Sequence, residues 1–326
     1  MLCTITAFTG CKTSEPVGMP APMPDREARM VNSYLYYLDG AGGGTAKQNW
    51  VAGVADGFLA AGYKGAGEMF SWETGKGLIE DQDAPVKYKR QMAKKMTAEI
   101  LAYEKTHPDA PVGILGFSAG TAEAIFALED LPLDVKVDTV VLLGASISAH
   151  YDLTEALKRI AGKLYVFTST HDKMLGVAMR FSGTADRERH DKGAGIHGFA
   201  LPEGASTATS ALYSDKIVTI PWNPQFEEDG DSGHHFDNIK MEFIRDHVAP
   251  IFVTRWADAV PARSPNPAPA SPTVPVTPAP TPPSVPTPPV TPATPAPAPT
   301  PSAPVVPSIP PTPDLPPPPP ELDVGF

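Results

Sequence analysis

Val112-Gly113-Ile114-Leu115-Gly116-Phe117 runs without a break into Ser118-Ala119-Gly120 and then into Thr121 to Leu128. Six apolar or glycine residues in succession read as a strand buried on both faces, because a strand with one wet face would alternate. Ile125, Phe126 and Leu128 give the segment that follows an apolar helical face. Between the two, Gly116-Phe117-Ser118-Ala119-Gly120 fits Gly-x-Ser-x-Gly, a tight strand-to-helix turn that presents a serine hydroxyl at the carboxyl edge of a sheet. The new helix directs its free N–H groups toward negative charge developing there. Small Ala119, Gly120 and Ala122 allow the close approach that such a turn needs.

The same alternation extends outward from this unit. Upstream, Val31 to Leu38 reads as a strand that stops at Asp39-Gly40-Ala41-Gly42-Gly43-Gly44, and Trp50, Val51, Val54, Phe58 and Leu59 then fall at helical spacing. Glu68 to Trp72 is a short strand candidate, and Lys89 to Lys105 a helix with Met92, Met96, Ile100 and Tyr103 on one face. Downstream, strands are expected at Asp138–Leu143, Lys163–Thr168 and Lys216–Ile220. A helix with Leu153, Leu157 and Ile160 separates the first two, and a last helix spans Asn238 to Val253. Continuous Val/Ile/Leu strands alternating with amphipathic helices predict a three-layer α/β/α sandwich around a mostly parallel sheet of about six strands. From Met174 to Ser214 no period is visible, and the segment reads as a cap or substrate-binding excursion.

A serine hydroxyl is a weak nucleophile and needs a positioned base, itself oriented by an acid. The strand Leu164 to Thr168 ends in Ser169-Thr170-His171-Asp172, and the final strand is followed by Asp231-Ser232-Gly233-His234-His235-Phe236. Serine, carboxylate and imidazole therefore occur in the order that goes with this turn. With these features the chain, from about Val31 to Val253, resembles the α/β-hydrolase family in a minimal version. The resemblance implies a serine hydrolase, esterase- or lipase-like, that cleaves the carboxylic ester of a small molecule through an acyl-enzyme. It implies Ser118 as nucleophile, Asp172 as acid and His234 as base, with an oxyanion hole made by the backbone N–H of Ala119 and that of Ala41 or Gly42. Two departures stand out: Asp39 takes the place of the histidine that many members carry there, and no strands precede Val31. His234 is preferred to His235 because it follows Gly233 directly, and Asp152, after the preceding strand, is the rival acid. Two alternatives stay open, a peptidase, thioesterase or acyltransferase with the same three groups, and a noncatalytic interaction protein that kept the fold.

No metal or cofactor is expected. His234 and His235 with Asp231 and Asp237 lack any H-E-x-x-H-like spacing, and Gly40 to Gly44 lacks the spacing of a nucleotide-binding loop. A net charge of −11 argues against a nucleic-acid partner.

Of the 40 prolines, 28 lie at or beyond Pro261, so residues 259–326 read as a proline-rich disordered tail suited to contacting the cell envelope or a protein partner. The only cysteines are Cys3 and Cys11, which excludes a disulfide within the core. Leu2 to Phe8 is a short apolar run ending in Thr9-Gly10-Cys11, which resembles a bacterial lipoprotein signal without its basic n-region; an upstream start would supply those charges. The organisation expected is thus a signal segment at 1–11 with lipidation at Cys11, a linker at 12–28, the α/β-hydrolase domain at 29–258, and the tail. Such a protein is exported and anchored to a membrane surface by its acyl chains.

Overall fold

Among the described residues six strands form one sheet: Tyr34–Leu38 (β1), Ala66–Met69 (β2), Val112–Phe117 (β3), Thr139–Leu143 (β4), Leu164–Thr168 (β5) and Ile217–Pro221 (β6). The computed structural model describes residues 23–44, 49–188 and 191–259. The segment expected to act as a signal, with Cys11, and most of the proline-rich tail lie outside the described residues. Every strand pairing is parallel, in the order β2-β1-β3-β4-β5-β6. Helices cover both faces, which makes the three-layer α/β/α sandwich that the continuous apolar strands imply.

Residue alternation along the strands divides the interior into two cores. Tyr34, Tyr36 and Leu38 of β1, with Ile114, Val140, Leu142 and Val166, face the helices Val86–Thr106 (α2) and Gly120–Asp130 (α3). Leu35, Tyr37, Leu115, Phe117, Val141 and Leu143 face the other way, against Val54 and Phe58 of Ala52–Ala60 (α1) and Phe252 and Trp256 of the last helix, Ala249–Ala259. That helix continues a π-helical turn, Ile244–Val248. Among the described residues no helix is long and apolar enough to cross a membrane.

The folded unit begins earlier than the sequence suggests. Met23 is 2% exposed and its N–H donates to Gly67 O (3.2 Å), while Arg26 pairs with Glu68 at 3.0 Å. Residues 23–28 therefore belong to the domain and not to the linker, because the Met23 side chain fills a gap beside β2. The second strand begins at Ala66, not Glu68, since glycine and alanine there hide it from a hydrophobicity reading. The segment 174–214 is largely helical, with Lys173–Ser182, Ala194–His197 and Thr207–Lys216. Its polar and glycine-rich composition conceals those helices, which take their stability from packing onto the domain.

Candidate active site

The chain runs from β1 outward to β2 and then returns to the opposite side of β1 for β3, so the crevice between β1 and β3 is a topological switch point. Loops that leave carboxyl ends of neighbouring strands in opposite directions leave a cleft there, the usual place for ligands in parallel α/β sheets. Ser118 follows β3, and the Asp39–Gly44 loop follows β1.

Ser118 adopts φ 51°, in the left-handed region that side chains avoid. The strain, on the order of 1–3 kcal/mol, is tolerated only where surrounding contacts enforce it. Here the Ser118 N–H donates to Leu143 O of β4 (2.9 Å), and the Ser118 carbonyl accepts from Thr121 N–H (3.1 Å) and the Thr121 hydroxyl (2.6 Å). The flanking glycines answer to space. A Cβ at position 120 would lie 2.4 Å from Asp39 O, and one at 116 would lie 3.0 Å from Thr121 Cα. No side chain fits where α3 crosses the ends of β1 and β3.

His235 Nε2 lies 2.9 Å from Ser118 Oγ, and His235 Nδ1 lies 2.6 Å from Asp172 Oδ2. The imidazole is packed between Phe117 and Phe236, with ring centroids 5.0 and 5.1 Å away. Both oxygens of Asp172 are engaged, since Oδ1 accepts from Leu175 N–H (2.8 Å) at the start of the helix Lys173–Ser182. Capping a helix and orienting an imidazole are thus done by one buried carboxylate. Asp152, the rival acid, instead accepts from the Thr154 N–H and hydroxyl at the surface.

The preference for His234 is corrected: its side chain is 65% exposed, against 5% for His235. Gly233, at φ 86°, turns the chain so that His234 points outward, where it meets Ser232 Oγ (2.7 Å) and lies 3.5 Å from Asp237. Ser169 Oγ donates to Gly233 O (2.7 Å), and burial lifts the Asp231 carboxyl to about 6 where it accepts from Gly233 N–H (2.7 Å). The loop bearing His235 is thereby pinned beside the one bearing Asp172. His234 takes its partners locally, from Ser232 and Asp237, whereas His235 draws Ser118 and Asp172 from far along the chain.

The expected oxyanion donors separate in the same way. Gly42 N–H donates to Asp81 Oδ2 (2.9 Å), so it is already used. Gly40, Gly43 and Gly44 N–H groups donate to Asp39 Oδ1 (2.7 Å), Gly40 O (3.0 Å) and Asp39 Oδ2 (3.0 Å) respectively. The Ala41 N–H has no acceptor among the described residues, and neither has that of Ala119. Ala41 lines the same cleft as Ser118. Asp39 holds the loop in shape, since Trp50 N–H also donates to its Oδ2 (3.0 Å) and Trp72 Nε1 donates to its backbone carbonyl (2.8 Å). Burial pushes the Asp39 carboxyl up to about 6 against these backbone donors, and that of Glu73 behind it up to about 7.

A cavity of about 170 Å³ opens at Ser118. Its walls include Trp50, Leu78, Ile79, Phe117, Met174, Leu175 and Phe236, with Gln82 and Ser146 as polar members. Sequence reasoning missed most of these, because pocket walls come from segments with no catalytic signature. Of the 174–214 segment, Met174 and Leu175 at its start line the cleft. Leu78, Ile79 and Met174 remain 45%, 69% and 41% exposed, forming an apolar rim. Among the described residues no cluster of three potential metal ligands occurs.

No protein-family model matches the chain, and no curated protein does. Among solved structures, acylaminoacyl peptidase of Pyrococcus horikoshii is similar with a TM-score of 0.38 at 10% identity, over 69% of this chain and 37% of the peptidase. A cutinase-like protein from Cryptococcus sp. gives 0.37 at 12% identity, over 69% of this chain and 95% of its own. RedJ, a thioesterase from the prodiginine biosynthetic pathway in Streptomyces coelicolor, gives 0.34 at 13% identity, over 79% of this chain and 97% of its own. The chain spans 37% of the length of the first of these.

Proposed function

We propose that the protein is a serine hydrolase that cleaves a carboxylic ester through an acyl-enzyme. The reading is carried by one imidazole, that of His235, lying within hydrogen-bond reach of both a strained serine and a buried carboxylate. In this mechanism His235 Nε2 takes the Ser118 proton as Oγ attacks the ester carbonyl, and then delivers it to the departing alcohol. Water repeats the sequence on the acyl-enzyme. Asp172 keeps the Nδ1 proton in place, so that Nε2 is the free base, and stabilises the imidazolium. The Ala119 and Ala41 N–H groups receive the oxyanion, where one such donor is typically worth about 2.7–4 kcal/mol. The apolar cleft favours an ester with an apolar chain over a charged one.

A fluorophosphonate probe should label Ser118, as located by mass spectrometry of the adduct, and should not label Ser118→Ala. Folded wild-type protein that stays unlabelled sinks the proposal.

Lipidation at Cys11 and export to a membrane surface belong to the same proposal, supported by the apolar run that ends in Thr9-Gly10-Cys11. Replacing Cys11 by Ala should then move the protein from the membrane to the soluble fraction of a bacterial host, and unchanged membrane association speaks against it.

A further inference from the structure

We propose that Ser146 is a specificity-determining residue of this cleft, and that the acyl chain filling it carries a hydrogen-bond-accepting oxygen. This deepens the ester-hydrolase reading and rests on it. Ser146 follows β4 and lines the cavity with Ser118. It is 3% exposed, and its hydroxyl has no hydrogen-bond partner among the described residues. Its backbone cannot turn away: the N–H meets Ser118 O (3.4 Å) and the carbonyl accepts from Ala185 N–H (2.8 Å).

The other polar wall residue, Gln82, donates its amide to Gly183 O (3.3 Å). A buried hydroxyl left without a partner is unfavourable, whereas alanine at the same place would carry no such cost. The hydroxyl has almost no surface open to the cavity as the cleft stands, so it is satisfied when the Ser146 side chain rotates toward the cleft and a ligand supplies an acceptor. Size narrows the ligand further. An apolar cavity of about 150 Å³ holds a benzene molecule, so about 170 Å³ suits a chain of roughly six heavy atoms. An otherwise apolar chain of that length with one ether, keto or hydroxyl oxygen fits both walls and hydroxyl.

The test is an oxygen scan. p-Nitrophenyl hexanoate is compared with its analogues bearing an ether oxygen in place of carbon 3, 4 or 5, using wild type and Ser146→Ala. Each ester has the same intrinsic reactivity toward both proteins, so the ratio of kcat/KM ratios isolates the hydroxyl. At one position, the preference for the ether over hexanoate should fall about three- to tenfold in the variant, the worth of one neutral hydrogen bond. The melting temperature of Ser146→Ala should equal or exceed that of wild type. The inference is overturned by ratios unchanged within about twofold at every position, by equal changes at all three, or by a lowered melting temperature, which would place the hydroxyl inside the fold's own bonding. Fluorophosphonate labelling of Ser118 without turnover of any of these esters overturns the inference and leaves the hydrolase reading standing; absent labelling removes both.

Discussion

Replacing Asp39 by Asn separates the oxyanion loop from the stability of the fold. The carboxylate accepts from Gly40 on one oxygen and from Gly44 and Trp50 on the other, so an amide can keep only one side. Keeping the two-donor side sets the new NH2 against Gly40 N–H, at a cost of about 1–3 kcal/mol. Against this stands relief of a buried charge. Burial lifts the Asp39 pKa from its ordinary 3.8 to about 6, so the folded protein holds this proton more tightly than the unfolded chain does. Asp39 therefore contributes stability at pH below 4 that is lost as pH rises through 6, about 3 kcal/mol in all.

At pH 8 the two effects nearly offset, and urea denaturation of Asp39→Asn should give a stability within about 2 kcal/mol of wild type. The fall in stability between pH 4 and 6 should be shallower in the variant. Activity should behave differently, because a Cβ at Gly40 would lie only 3.0 Å from Ser118 Cβ, and release of Gly40 shifts the neighbouring Ala41 N–H. A displacement near 1 Å costs about 10²-fold, and it should appear in kcat and not KM, since the oxyanion exists only in the transition state. Wild-type kcat in Asp39→Asn at pH 8, or a stability–pH profile identical to wild type, would refute the role assigned to this carboxylate.

Three further outcomes test other parts of the structure. His235→Ala should lower kcat/KM for a p-nitrophenyl ester by about 10⁴-fold or more, while His234→Ala, at the surface, should stay within about twofold; the reverse pattern would reinstate His234. Gly120→Ala should destabilise by about 1–3 kcal/mol in chemical denaturation and abolish most fluorophosphonate labelling, because the new methyl meets Asp39 O at 2.4 Å. Lys89→Met should cost about 1–3 kcal/mol in chemical denaturation, because it leaves the buried Gln82 and Ala185 carbonyls without the Nζ donor they share, and a stability equal to wild type would count against that tie.

Fold and site were unequally legible. The strands β3, β4 and β5 carry no charged residue and are mostly Val, Ile, Leu and Phe because both their faces are covered, and burial on both faces is a strong one-dimensional signal. Ser118 was legible because its turn is steric and local: Gly116 and Gly120 are required by atoms within a few residues or by the adjacent strand. Asp172 followed from strand order. The imidazole was not decided, because Gly233 permits either neighbour to face inward and the outcome depends on Phe117 and Asp172, which are distant in sequence, as well as on the adjacent Phe236. The Ala41 N–H rather than that of Gly42 was equally hidden, since Asp81, which occupies Gly42, lies 39 residues away. The helices between Met174 and Ser214 escaped because contacts with the domain, and not an internal apolar period, hold them.

The placement of buried charge explains why this cleft is costly to build. Asp39, Asp81, Lys89 and Glu123 are each at most 1% exposed, and none is needed to close the sheet. Asp39 and Asp81 hold the loop that carries Ala41. Lys89 Nζ donates to Gln82 O (3.2 Å) and Ala185 O (2.8 Å), tying the segment of the cavity-lining Gln82 to that of Ala185, and sits over the Trp72 ring. Trp72 in turn holds the Asp39 carbonyl. Burial lowers the Lys89 pKa and raises that of Glu123, each charged form being disfavoured away from water and partly restored by the other. Apolar residues of similar volume would cover the sheet at less cost, as buried ion pairs commonly show. What apolar residues cannot do is occupy the Gly40, Gly42 and Gly44 N–H groups so that, among the described residues of that loop, Ala41 is left to donate into the cleft beside Ala119. The polar interior thus serves the geometry around Ser118, and at Asp39, which holds the loop directly, substitution should alter turnover more than it alters folding.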